Sequence, residues 1–97
     1  METETQSNHG WPAFLKLCGK FEHPEEFKDL FDLFLTLEEK EDIGKRYLIL
    51  QAMLDGQMTQ REIAEAIQVS ISKVTRGSNA LKIISDPLRE ALKKEML

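Results

Sequence analysis

The 97 residues are 31% charged and 41% hydrophobic, the balance of one folded domain rather than of two independent cores or a disordered chain. A single cysteine, Cys18, excludes an intrachain disulfide and a cysteine-based zinc site and fits a reducing compartment, while two histidines and no nucleophile motif leave little material for catalysis. The net charge of −4 is no general footprint for nucleic acid, no apolar run nears the ~18 residues that span a bilayer, and the acidic, polar start predicts a cytoplasmic protein without a secretory signal.

Leu is the commonest residue, Val occurs only at 69 and 74, and no stretch alternates as a strand would, so the expected fold is all-α. Residues 1–10 read as a mobile tail ahead of one helical domain, 11–97. Pro12 suits the first turn of a helix carrying Phe14, Leu15, Leu17, Cys18 and Phe21. His23-Pro24 breaks it, and Pro24-Glu25-Glu26 opens a second helix with acids at its positive end and Phe27, Leu30, Phe31 and Phe34 as its apolar set.

Thr36-Leu37-Glu38-Glu39 is a capping box that starts a long third helix, ended at Asp55 by Gly56. A second box, Thr59-Gln60-Arg61-Glu62, starts a short helix that closes near Ile67. Gln68-Val69-Ser70 is a turn, with Ser70 capping a helix from Ile71 to about Ile83. Asp86-Pro87 opens the last helix, with Leu88, Leu92 and Met96.

Two runs are apolar all round rather than along one stripe: Leu33-Phe34-Leu35 with Leu37, and Tyr47-Leu48-Ile49-Leu50. A chain this small has few neighbours to cover both sides, which predicts a homodimer with interlocked N-terminal helices over residues 11–56. The alternative is a monomer with some exposed Leu.

Residues 59–83 have helix-turn-helix spacing. Ile63 and Ile67 face inward, Ala64 is small where two helices cross, Val69 fills the turn and Val74 anchors the second helix. Ile71, Ser72 and Lys73 are left at the exposed end that enters a major groove, and Gln60 and Arg61 are placed for backbone phosphate. Charge follows the same division. Residues 1–56 hold 6 Lys and Arg against 12 Asp and Glu, whereas residues 57–82 hold 4 against 2. Between Gln68 and Lys82 three cations, Lys73, Arg76 and Lys82, stand without an acid, a basic stripe on an acidic chain. Gln68 occupies a place where many such turns use Gly; a left-handed non-Gly residue costs ~1–2 kcal/mol, so this turn is expected to differ in shape.

Gly77 interrupts the second helix of this unit at a cost of ~1 kcal/mol relative to Ala. A missing side chain permits close approach of a flat ligand to the backbone, and Arg76 beside it offers a fork for a carboxylate. The alternative is Gly77 as a fraying point with Arg76 on phosphate.

Leu35-Thr36, Gly44-Lys45-Arg46, Gly56 to Glu62 and Ile71 to Lys82, above all Thr75-Arg76-Gly77-Ser78-Asn79, resemble the tryptophan repressor family from about Trp11 to Leu97. The resemblance implies an intertwined all-α homodimer of six-helix chains that binds operator DNA when L-tryptophan is bound as corepressor. It implies that Arg46 and Arg76, from different subunits, flank the indole ring, and that Gly77 leaves room for it. Main-chain carbonyls at Leu33 and Leu35 would accept the amino group, with Thr36 lining the site. Ile71, Ser72 and Lys73 would read bases, and Gln60, Arg61, Thr75, Asn79 and Lys82 would hold backbone. The half-site spacing of ~34 Å is general helix-turn-helix geometry, for which the Trp repressor is itself a standard example, as it is for water-mediated readout. Two departures stand out: Ala80 replaces a serine whose hydroxyl helps hold the ligand amino group, and Leu37 replaces a proline.

Duller roles are open to several of these residues. Arg46 can pair with Asp42 one turn earlier, Leu33 and Leu35 can be core, Trp11 reads as packing near a dimer seam, and Cys18 as a small core residue. Two other function classes are a ligand-independent helix-turn-helix module of the replication- or transcription-initiation type, which has no need of Arg46, and a helical protein-interaction adaptor with no salt-dependent affinity for DNA.

Overall fold

Every regular element among the described residues is helical. The computed structural model describes residues 8–97, so most of the tail expected over 1–10 lies outside the described residues. Among the described residues the helices are α1 Gly10–Cys18, α2 Pro24–Phe34, α3 Leu37–Asp55, α4 Gln60–Ile67, α5 Ile71–Lys82 and α6 Asp86–Met96. They fall into two units, one ending at Thr36 and the other spanning Leu37–Leu97. No helix among the described residues is long and apolar enough to cross a membrane.

In the first unit α1 begins at Gly10, two residues ahead of Pro12, which therefore sits third in the helix, where its missing N–H costs no intrahelical bond. The start of α2 is as its sequence predicts: Pro24 is the first helical residue, and the Glu26 carboxylate accepts from the His23 N–H at 3.4 Å. Aromatic rings join the two helices. Phe14 meets Phe34 edge-on with centroids 4.9 Å apart, Trp11 stacks on Phe14 at 5.8 Å, and Phe21, Phe27 and Phe31 continue the row. Yet neither helix buries a single residue. Trp11 and Leu33 are 66% and 78% exposed, an apolar face that a stable monomer rarely shows to water.

The second unit has a small, dry core. Ile49 from α3, Ile63 and Ala64 from α4 and Val74 from α5 are buried, with Ala52, Met53, Ile67 and Val69 packed against them. Each buried Ile or Val contributes ~1.5–3 kcal/mol. Gly56, at φ +76, ends α3 in the left-handed conformation that its missing Cβ permits. The cap of α6 is Ser85, whose hydroxyl accepts from the Leu88 N–H at 3.2 Å, one residue ahead of the Asp86-Pro87 pair that signals this helix in the sequence. Two side chains tie α6 down: the Gln51 amide donates to the Met96 carbonyl at 2.8 Å, and the Arg89 guanidinium donates to the Leu81 carbonyl.

Of the runs expected to be apolar all round, Ile49 is buried, whereas Leu37, Tyr47 and Leu48 are 71%, 47% and 46% exposed. One face of α3 holds the core and the opposite face is open.

Candidate ligand cleft and nucleic-acid interface

The helix-turn-helix is assembled by local hydrogen bonds that the sequence encodes residue by residue. Thr59 Oγ1 accepts from the Glu62 N–H at 3.1 Å, and Glu62 Oε1 accepts from the Thr59 N–H at 2.8 Å, a complete capping box at the start of α4. Ile63 is fully buried and Ala64 nearly so, which lets α5 cross closely. At the turn Gln68 takes φ 63 and ψ 52, a left-handed residue with a full side chain. The expectation of a differently shaped turn is therefore overturned: the turn keeps the shape that glycine usually supplies and bears the strain, held by the Val69 N–H bonding back to the Ala64 carbonyl at 3.0 Å. Ser70 Oγ accepts from the Lys73 N–H at 3.3 Å and lies 3.0 Å from Ser72 Oγ.

This leaves Ile71, Ser72 and Lys73 exposed at the first turn of α5, with Ile71 45% accessible. Four of the residues expected on phosphate are paired with one another. Thr75 donates to the Gln60 side-chain oxygen at 2.9 Å, half-buried across the α4–α5 crossing. That bond leaves the Gln60 NH2 group with donors for an anion at the start of α4. Lys82 donates to Asn79 Oδ1 at 3.4 Å near the other end of α5, and Arg61 is exposed.

Behind the first turn of α5 lies a cleft of about 190 Å3 between α3 and α5, lined by Asp42, Lys45, Arg46, Ile49, Lys73 and Arg76. Arg46 and Arg76 of one chain thus border the same space, without a second subunit to bring them together. Asp42, Lys45, Arg46 and Ile49 follow the i, i+3, i+4, i+7 spacing of one helix face, and Lys73, Arg76, Gly77 and Ala80 form the facing stripe of α5. Four cations against one carboxylate among the described lining residues give the cleft a positive balance, suited to an anionic group. Asp42 pairs with Lys73 across the cleft, at 3.9 Å, rather than with Arg46 on its own helix.

Gly77 is buried where α5 meets α3, and a Cβ built on it would lie 2.9 Å from Ile49 Cγ2. It is a point of close helix contact and not a fraying point. The hollow left by its absent side chain is filled by Ile49. Sequence reasoning missed Ile49, Lys45 and the Asp42–Lys73 contact here; the signal available was the α3 face just described, which the apolar run around Ile49 obscured. Ala80, half-buried one turn after Arg76, offers no hydroxyl.

Leu33, Leu35 and Thr36 belong to the first unit. Leu35 lines an apolar groove there with Gly10, Trp11, Phe14 and Phe34, while Leu33 points its side chain into solvent at 78% exposure. Cys18 is half-buried, as a small packing residue would be.

The family model described as "Trp repressor protein" matches residues 9–96. A "Trp operon repressor homolog" of Chlamydia caviae is 53% identical over 93 residues, covering 96% of this chain and 91% of that relative. One from Chlamydia trachomatis serovar D is 48% identical over 93 residues, covering 96% and 99%. A more distant one, from Mannheimia succiniciproducens, is 36% identical over 84 residues, covering 87% and 83%.

Proposed function

The chain belongs to the Trp repressor family, a family of DNA-binding transcriptional regulators rather than enzymes, and from that premise we propose that it is a homodimeric, cytoplasmic repressor that requires L-tryptophan to bind its operator. The observation that carries this reading is the position of the basic α3–α5 cleft: it adjoins the first turn of α5, and Ile49, one of its lining residues, lies against Gly77 at the point where the two helices touch.

In this reading the indole ring enters between Arg46 and Arg76, whose guanidinium planes suit stacking on an aromatic face. Arg76 takes the carboxylate with its planar fork. Ala80 supplies none of the help that a hydroxyl there would give the amino group. Because Ile49 fills the Gly77 hollow, ligand entry parts α5 from α3 and resets the spacing of the two reading heads in the dimer. A ligand shifts such a balance only through its higher affinity for the competent state. A coupling of ~1–3 kcal/mol changes operator affinity roughly 5- to 150-fold.

On DNA, Ile71, Ser72 and Lys73 read bases, and Gln60, Arg61, Thr75, Asn79 and Lys82 hold backbone. The unburied aromatic helices α1 and α2, and the open face of α3 with Tyr47 and Leu48, support a second copy as their cover. Sedimentation that finds only the 11.2 kDa species at micromolar concentration overturns the dimer.

The filled hollow at Gly77 is also what a ligand-independent helix-turn-helix module would have, since close helix packing alone then accounts for the glycine. One assay separates the two. Mobility shift on a palindromic operator, at fixed salt, is stronger with L-tryptophan under the first reading and equal in both lanes under the second.

A further inference from the structure

Among the described residues, Asp42 is the one carboxylate that lines the α3–α5 cleft, beside Lys45, Arg46, Lys73 and Arg76. Its contact is with the Lys73 ammonium at 3.9 Å, on the opposite wall. Lys73 stands in the first turn of α5 beside Ile71 and Ser72, so the cation nearest the reading end lies against α3. From this we infer that Asp42 is a positioning residue for Lys73: it holds the reading lysine and the first turn of α5 against α3, and gives both up when a ligand parts the helices, an inference that rests on the ligand-gated reading above.

The coupling between cleft and contact is geometric. Even a single Cβ added at Gly77 would lie only 2.9 Å from Ile49 Cγ2, so no ring enters at that point unless α5 moves away from α3. A contact of 3.9 Å is already at the limit of an ion pair, and the movement that admits the ligand breaks it. Lys73 then changes partner, from a carboxylate on its own chain to a nucleic acid. The side chains are 53% and 61% exposed, so solvent screens the pair and its contribution is small: about a 1.5- to 5-fold bias toward the closed state.

The test measures operator affinity for wild type, Asp42→Asn, Lys73→Met and the double variant, each with and without L-tryptophan at fixed low salt. Asp42→Asn is expected to tighten the ligand-free complex about 1.5- to 5-fold more than the ligand-saturated one. By reciprocity it strengthens L-tryptophan binding to the DNA-free protein by the same factor. In the Lys73→Met background both differences disappear. An equal gain with and without L-tryptophan reflects only the loss of a carboxylate that repels phosphate in both states, and overturns the inference. If wild-type affinity ignores L-tryptophan, the ligand-gated reading itself fails, and hydrogen exchange then decides the contact. Faster exchange of the amides in the first two turns of α5 in Asp42→Asn supports the hold of Asp42 on that segment, and unchanged exchange overturns it.

Discussion

Gly77→Ala probes both the packing and the ligand. The added Cβ would lie 2.9 Å from Ile49 Cγ2 and 3.7 Å from Leu50 Cδ2. Ordinary carbon contacts are ~3.5–4.0 Å, so the Ile49 methyl has to retreat by roughly 0.6–1.1 Å. That methyl is fixed directly to a β-carbon with stiff χ1, on a side chain only 2% exposed. Overpacking of this kind costs ~1–3 kcal/mol, offset by the ~1 kcal/mol that Ala gains over Gly inside a helix. The net expectation is a loss of ~0–2 kcal/mol, or a fall of about 4–8 °C in Tm for each kcal/mol, measured at matched protein concentration. L-Tryptophan is affected more, because the same methyl intrudes where the ring is proposed to lie. Calorimetry is expected to show affinity reduced about 5- to 150-fold. A folded variant whose ligand affinity equals the wild type's refutes a ring seated against Gly77. A Tm that rises by the full helix gain refutes the close contact with Ile49.

Three further substitutions follow from local geometry. Gln68→Gly releases ~1–2 kcal/mol of left-handed strain against ~0.5–1 kcal/mol of added chain entropy. It should therefore raise the urea midpoint, and a lower midpoint would show that the φ of 63 is not strained. Thr59→Ala removes the acceptor of the Glu62 N–H and should cost ~1 kcal/mol in the same assay, with no loss meaning that the capping box at α4 is decorative. Ala80→Ser restores one hydrogen bond worth ~0.5–1.5 kcal/mol and should tighten L-tryptophan about 2- to 10-fold relative to its desamino analogue. An unchanged ratio places the amino group away from residue 80.

Local features were written plainly in the chain. Prolines at 24 and 87, glycine at 56 and the Thr59–Glu62 box act within a few residues, and helix ends fall where these residues predict. The inward set Ile63, Ala64 and Val74 was equally legible, because helical spacing turns residues three and four apart to one side whatever lies beyond them. Ser85 escaped notice as a cap because Asp86-Pro87 next to it already marks a helix start.

By itself, then, the sequence determined the helices, the reading turn and, through the Thr75–Asn79 run, the family, since each depends on backbone angles, on neighbours along one helix or on the order of residues alone. Only the tertiary structure decided what faces what. Gly77 could be read as a ligand's opening or a weak point until Ile49, many residues away, was found lying against it. Asp42 could pair along its own helix or across to α5, and the crossing of the two helices chose Lys73. Gln68 could reshape its turn or endure it, and the packing of Val69 and the α4–α5 crossing over-determined a left-handed residue. Such choices depend on distances between segments remote in the chain, which no local preference encodes.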